Sequence, residues 1–312
     1  MSDFLIQPYH PETDFAGLLG LIQAVETADA AGADTSETNL RRRLSLPGFD
    51  PALDQILALH PDGHFSGQTA IWLPPDSQTA FIGLSVHPQH RRQGLGSQLL
   101  AASLKRAREL GARQAAFNVW QPGAAGHFFL LKHGLKLAGH FTRFSAALPL
   151  QATLRSFPNQ FSVRSFTRVN ELQTLASAFE QCYAGLWGHH SRVTIEELQE
   201  WLPQMDPEGI LLVFDVEENV VGMCRVEINA EISAERGGKT GYIDAPGWLP
   251  AYRSQANTTA LLHLALDWLS GRGAVQAVLE SWGDPAETLL LFQKIGFKLE
   301  RQVSEYGTDL AN

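Results

Sequence analysis

The segment 86–100, VHPQHRRQGLGSQLL, sets histidines, paired arginines and two glycines between an apolar run and a leucine-rich stretch. Gly94 and Gly96 free the backbone for positive φ and let a ligand come close. The first N–H groups of a helix have no partner inside it, and the dipole makes that end positive, so the turn suits a diphosphate. Arg91 and Arg92 add charge-assisted hydrogen bonds, and Ser97 adds a hydroxyl. A Walker loop requires Lys and then Ser or Thr after its last glycine, whereas Ser97 follows Gly96 directly. A dinucleotide fingerprint requires Gly at position 99, where Leu stands. The expected ligand is therefore a phosphate compound held in neither of those two ways.

The same pattern returns without its glycines. With residue n placed over residue n+162, PQHRRQGLGSQLL falls on PAYRSQANTTALL without a gap. Pro88 meets Pro250, Arg91 meets Arg253, Trp120 meets Trp282, and KHGLKL meets KIGFKL. Identity at a fixed offset, carried through Trp, Pro and Gly, marks two copies of one fold. In the second copy Ala256 and Thr258 replace the glycines and Ser254 replaces Arg92. Their Cβ atoms occupy the path of the phosphates and disfavour φ > 0. One phosphate site per chain is expected, in the first copy.

Each copy reads as α/β (α+β), a mixed and mostly antiparallel sheet flanked by helices. In the first, Phe15, Leu18, Leu19, Ile22 and Val25 form one apolar helical stripe. Ser36 or Thr35 is positioned to cap a second helix. QILALH, HFSGQTAIWL and TAFIGLSVH are strand-like and separated by PDG and PPDSQ turns, which predicts a meander. A helix runs from Gly94 to Gly111, then RQAAFNVW as a strand, a helix through His133 and a final strand. The second copy repeats this order, with NVVGMCRVEINAEI read as a strand. The expected division is 1–148, a linker at 149–160, and 161–312.

An Arg-x-x-Gly-x-Gly turn after a strand ending Val-x-Pro, within this order of elements, resembles the GCN5-related N-acetyltransferase superfamily, and the resemblance covers nearly the whole chain as a tandem pair. YAGLWGHHSRVTIEELQEWL resembles a Trp-Gly-His segment of the group related to mycothiol synthase. The resemblance implies acetyl-CoA as cofactor and an N-acetyltransferase activity. By it, Leu84, Ser85 and Val86 offer backbone groups to the pantetheine arm, residues 92–97 hold the diphosphate, and Asn118 contacts the cofactor. Many members place a general-acid Tyr where this chain has Leu130 and Phe292, and many use the C-terminal copy as the active one. An amine with a pKa of about 10 must lose a proton before it attacks. The candidate groups are His87, His127, His189 and His190, each of a type found more often on surfaces or in packing. An alternative reading is a sensor or scaffold that holds acetyl-CoA without transfer.

The net charge of −9 is uneven: 12 acidic and 12 basic residues precede position 151, and the whole excess follows it. No basic stripe speaks for nucleic acid. The acidic half favours a cationic small-molecule amine as acceptor. No run of about 18 apolar residues is present. The start MSDFLIQPYH has no export pattern, and Cys182 and Cys224 have no metal-ligand spacing, so a cytoplasmic protein with reduced thiols and no bound metal is expected.

Overall fold

The computed structural model describes residues 4–75, 77–120, 124–150, 157–189 and 193–310. The chain divides into two units, Met1–Ala138 with Ser304–Asn312, and Gly139–Val303. The first contains β1 (Leu5–Pro8), α1 (Phe15–Asp29), α2 (Glu37–Leu44), α3 (Pro51–Asp54), β2 (Gln55–Leu59), β3 (Phe65–Trp72), β4 (Thr79–Val86), α4 (Leu95–Glu109), β5 (Gln114–Trp120) and α5 (Ala125–Lys132), and β6 (Lys136–Ala147) begins there. β1 to β4 pair in chain order as an antiparallel meander, and β4 pairs β5 in parallel. Most of the α1 stripe packs as its spacing predicts: Leu18 is buried with Leu40 and Leu57, and Phe15, Leu19 and Ile22 pack beside them. Val25 stays half-buried outside this cluster, and Leu21, which the stripe omits, is buried. Ser36 caps α2, its Oγ accepting from Asn39 N at 3.2 Å. On the other face Leu100, Phe117, Leu130 and Tyr306 form the core under α4 and α5. Arg106 ties α4 to α3 by donating from Nε to buried Asp54 at 2.8 Å.

The second unit contains β7 (Ser162–Ser165), α6 (Phe166–Val169), α7 (Leu172–Cys182), α8 (Ile195–Trp201), β8 (Ile210–Phe214), β9 (Val220–Ile228), α9 (Ala230–Arg236), β10 (Thr240–Asp244), β11 (Gly247–Trp248), α10 (Gln255–Gly271), β12 (Gln276–Trp282) and α11 (Ala286–Ile295), and β13 (Lys298–Asp309) begins there. Val226, Ile243, Leu261 and Leu279 form one core, and Leu175, Leu198, Leu212 and Met223 form another on the opposite face. The expected strand through Ile232 ends at Ile228. Asn229 instead caps α9, its Oδ1 accepting from Ile232 N, and Gly237 closes that helix in the left-handed region. A local cap outweighed the apolar pattern there.

The division differs from a cut at 149–160. β6 from Gly139 onward belongs to the second unit, where it pairs antiparallel with β12 from Gln276↔Ala147 to Trp282↔Phe141. Ser304–Asn312, carrying the end of β13, belongs to the first, where Leu310 N donates to Arg113 O and Gln114 Nε2 to Asp309 Oδ1. Each copy thus completes the other's sheet, because the last slot beside β5 or β12 selects a complementary strand and not the nearest one in sequence. Of the linker, residues 151–156 lie outside the described residues.

Candidate active site

The glycine turn lies between β4 and α4. Arg92 has φ 63° and Gly94 φ 88°, and Gly94 precedes the first helical residue. A Cβ built on Gly94 would meet nothing within 4 Å, so the space before the helix is clear. At Gly96 a Cβ would crowd Phe129 of α5 at 3.3 Å, which fits a glycine and a close helix–helix approach. The N–H groups of Leu95 and Gly96, in the first turn of α4, have no acceptor within the helix. Arg92 is exposed and has no ion-pair partner among the described residues. Ser97 Oγ and His133 Nε2 lie 3.0 Å apart at the same helix end. A bare, positively polarised cradle of this kind fits the diphosphate of acetyl-CoA. Arg91 departs from expectation. Its guanidinium grips Asp29 at 2.7 and 2.8 Å and its Nε donates to Val86 O at 3.1 Å, so its charge is committed to bracing the turn.

The second unit closes the same turn with its own atoms. Helix α10 starts at Gln255, the counterpart of Gln93, and absorbs the loop. Ser254 is its N-cap, with Oγ accepting from Asn257 N at 3.2 Å, while Asn257 Nδ2 donates to Tyr252 O at 2.7 Å. Arg253 repeats the brace: Nε donates to Trp248 O at 3.0 Å and Nη2 to Ala184 O at 2.5 Å. That both copies keep this arginine on the last carbonyl of the preceding strand identifies it as structural in each.

The strands diverge next to the turn. β4 and β5 pair from Thr79↔Gln114 to Ile82↔Phe117, and residues 83–86 and 118–120 make no pairs with each other. Leu84, Ser85 and Val86 therefore present an open edge toward β5, and Asn118 stands exposed just past the last rung. In the second unit pairing runs one rung further, to Asp244↔Glu280, and Ala245 N donates to Glu280 O at 2.8 Å. Tyr183 covers the next backbone group, its hydroxyl donating to Ala245 O at 3.1 Å and its ring lying where a Cβ on Gly247 would go.

One row of side chains shows the difference in charge. Ile82 opposes Ile71 as Ile243 opposes Val226, so Ala70 and Gly83 correspond to Arg225 and Asp244. In the second unit the row reads Arg225, Asp244, Glu280, Arg143 across four adjacent strands. Arg225 Nε donates to Asp244 at 2.6 Å, Arg143 Nε to Glu280 at 2.8 Å, and the Tyr242 hydroxyl lies 2.7 Å from Asp244 and 3.0 Å from Glu280. Burial, then the neighbouring Asp244 and Glu280 carboxylates, pushes the Tyr242 phenol far up, so it stays protonated.

Each described candidate histidine has its own local partners. His87 Nδ1 accepts from Gln89 N at 3.3 Å, and the ring lies beside His90, which itself stacks on His60. His127 is paired through Nδ1 with the hydroxyl of buried Tyr306. His189 stacks on Tyr183 with ring centroids 4.1 Å apart, and His190 lies outside the described residues. Leu130 and Phe292 are core residues without a proton to give. Tyr306 escaped the sequence reading because it comes from β13, the strand exchanged into the first unit. Asp284 escaped too: it is buried beside Ser281, whose Oγ donates to it at 2.7 Å, and desolvation raises its pKa to about 6. Burial pushes the Cys182 thiol up to about 12, and Cys224 also moves up, so neither is a ready nucleophile. No group of three or more metal-ligating side chains occurs among the described residues, and none of their helices is long and apolar enough to cross a membrane.

Comparison with known proteins agrees with both copies. The acetyltransferase (GNAT) family matches residues 29–135 and again 172–297. The mycothiol acetyltransferase of Stackebrandtia nassauensis is 27% identical over 294 residues, covering 90% of this chain and 91% of that one. The mycothiol acetyltransferase of Thermobifida fusca is 26% identical over 331 residues, covering 98% of each chain. The crystal structure of a GCN5-related N-acetyltransferase from Sphaerobacter thermophilus superposes with a TM-score of 0.63 at 18% identity, covering 99% of this chain and 96% of that one. A tandem GNAT protein from the clavulanic acid biosynthesis pathway superposes with a TM-score of 0.53 at 16% identity over 99% of both chains. The family match spans both copies of the repeat, and the chain belongs to the acetyltransferase (GNAT) family.

Proposed function

We propose that the protein transfers an acetyl group from acetyl-CoA to the primary amine of a small molecule, with the cofactor held by the first unit. The observation that carries this reading is the contrast between the clear turn at Gly94 and the turn filled by the Ser254 cap. Acetyl-CoA supplies a thioester whose acyl carbon an amine can attack. Main-chain N–H groups of Gly94, Leu95 and Gly96, with Arg92, bind the diphosphate, and Arg91 holds the turn in place through Asp29 and Val86. The open edge at 83–86 orients the pantetheine arm and presents main-chain donors to a carbonyl. His127, coupled to Tyr306, and His87, whose Nδ1 accepts from Gln89 N, are two first-unit groups able to move a proton. A thiol pKa of about 8.5 makes the leaving thiolate tolerable without the acid that Leu130 cannot be. The relatives named mycothiol acetyltransferase support a small-molecule acceptor.

Calorimetry with acetyl-CoA tests the reading. We expect one site per chain, at least 100-fold weaker binding in Gly94→Val, where a branched side chain meets φ 88°, and less than a twofold change in Ala256→Val. Two sites, or equal losses, would overturn it. Thiol release against an amine panel tests transfer, and binding without release would favour the sensor alternative.

A further inference from the structure

Arg43 is unlike its neighbours on α2. Arg41 pairs with Glu37 at 2.7 Å, and Arg42 Nη2 donates to Asn39 at 2.8 Å. Both are exposed. Arg43 is half-buried and has no hydrogen bond or ion pair among the described residues. Burial holds its pKa below the ordinary guanidinium value, and Arg42 pushes the same way. Its Nη2 lies 3.6 Å from the position of a Cβ on Gly83, the first β4 residue past the last β4–β5 rung.

The floor beneath it is built from three rungs of β3 and β4. Ala70 faces Gly83, with Trp72 and Phe81 on one side and Gln68 and Ser85 on the other. The polar side is self-satisfied, Gln68 Nε2 donating to Ser85 Oγ and Gln55 Nε2 to Gln68 Oε1. The aromatic side carries no acid, and the Trp72 indole N–H is taken by Pro47 O at 2.9 Å. Asn118, exposed and with no hydrogen bond among the described residues, stands just past the last β4–β5 rung. In the second unit the position of Gly83 is Asp244, and a guanidinium is paired there. The first unit has neither member of that pair, and a different guanidinium, Arg43 from α2, reaches over Gly83. A desolvated guanidinium without a counterion is costly, and its planar fork matches carboxylate and phosphate.

We propose that the acceptor carries an anionic group, a carboxylate or a phosphate, and that Arg43 binds it where β4 and β5 part, making Arg43 a specificity-determining residue. This deepens the transfer reading and rests on it.

The test follows the side-chain Nε–Hε NMR signal of Arg43, assigned by its loss in Arg43→Lys, in the full-length protein with and without coenzyme A. Acetate and inorganic phosphate are titrated separately to about 100 mM, well above a millimolar dissociation constant. A saturable shift is expected for one of them, and which one tells carboxylate from phosphate. Gly83→Asp, which restores the acid of the other copy, should leave the signal present and weaken the anion's effect at least tenfold. An unmoved or non-saturating signal overturns the proposal. Repeating the titration in Gly94→Val separates the two readings, since loss of cofactor binding there leaves the Arg43 response intact. Where turnover is measurable, L-alanine against L-alaninamide and 2-aminoethyl phosphate against ethanolamine give kcat/KM ratios. Arg43→Met should cut the anionic member's advantage at least tenfold, and an unchanged ratio overturns the assignment.

Discussion

The turns before α4 and α10 share a bracing arginine and a place in the repeat, yet one is clear of side chains and the other is closed by its own. Before α4 a left-handed Gly94 leaves open space and first-turn N–H groups with no acceptor in the helix; before α10 the Ser254 hydroxyl accepts from the Asn257 N–H, and the Asn257 amide donates to Tyr252 O. The neighbouring strands reverse the pattern of charge. Ala70 and Gly83 are bare in the first unit, whereas Arg225 and Asp244 make a tight pair in the second. The first copy leaves main-chain and side-chain groups open at these two places, and the second pairs the matching groups with its own residues. Backbone amides and buried charges have to be paired by something, so the presence or absence of an internal partner separates the two roles.

Three sets of substitutions test the two turns and the row beside them, in order of falling cost. Asp244→Asn or Arg225→Met removes one member of a mostly buried pair and should cost about 3 kcal/mol in denaturant unfolding. The double change Arg225→Ala with Asp244→Gly, which writes the first unit's residues into the second, should recover at least half of that. If it recovers nothing, the row does more than satisfy itself.

Asp284 gives the next effect. The second copy carries this acid where the first has proline at position 122. Its folded pKa of about 6 lies above the ordinary carboxyl value of 3.8, so the folded state holds the proton more tightly. Its contribution is therefore fully present below pH 4 and is lost as the pH rises through 6, amounting to about 3 kcal/mol. Asp284→Asn should flatten the stability profile across that window relative to the native chain. An unchanged slope would mean that Asp284 is ionised in its pocket.

Ser254→Ala is the smallest of the three. Loss of an N-cap should lower stability by about 1 kcal/mol. It should not create a second acetyl-CoA site, because Ala256 and Thr258 retain their Cβ atoms and Tyr183 still occupies the Ala245 carbonyl. Calorimetry that found a new site would break the comparison at its centre.

Most local features could be read from the residues. The stripe from Phe15 to Ile22, the Ser36 cap, the meander of β2 to β4 and the start of α4 depend on neighbours within a few positions, and their periods and caps state them directly. Strand ends were harder, as Asn229 showed by capping a helix inside an apolar run. The role of Arg91 was read as ligand binding because a sequence displays a charge without its partner. Asp29, which is that partner, lies 62 positions away.

By itself, then, the sequence determined that one fold is repeated and that a single copy retains a glycine turn fit for a diphosphate, because spacing and the absence of a Cβ are properties of the chain as written. The exchange of β6 and β13, the meeting of Tyr306 with His127, and the place of Arg43 over Gly83 with no hydrogen bond or ion pair among the described residues all depend on long-range packing. The reason is physical. An alternating strand pattern specifies a buried face but not which neighbour will fill the next slot, and a charged side chain takes whatever partner that choice brings within reach.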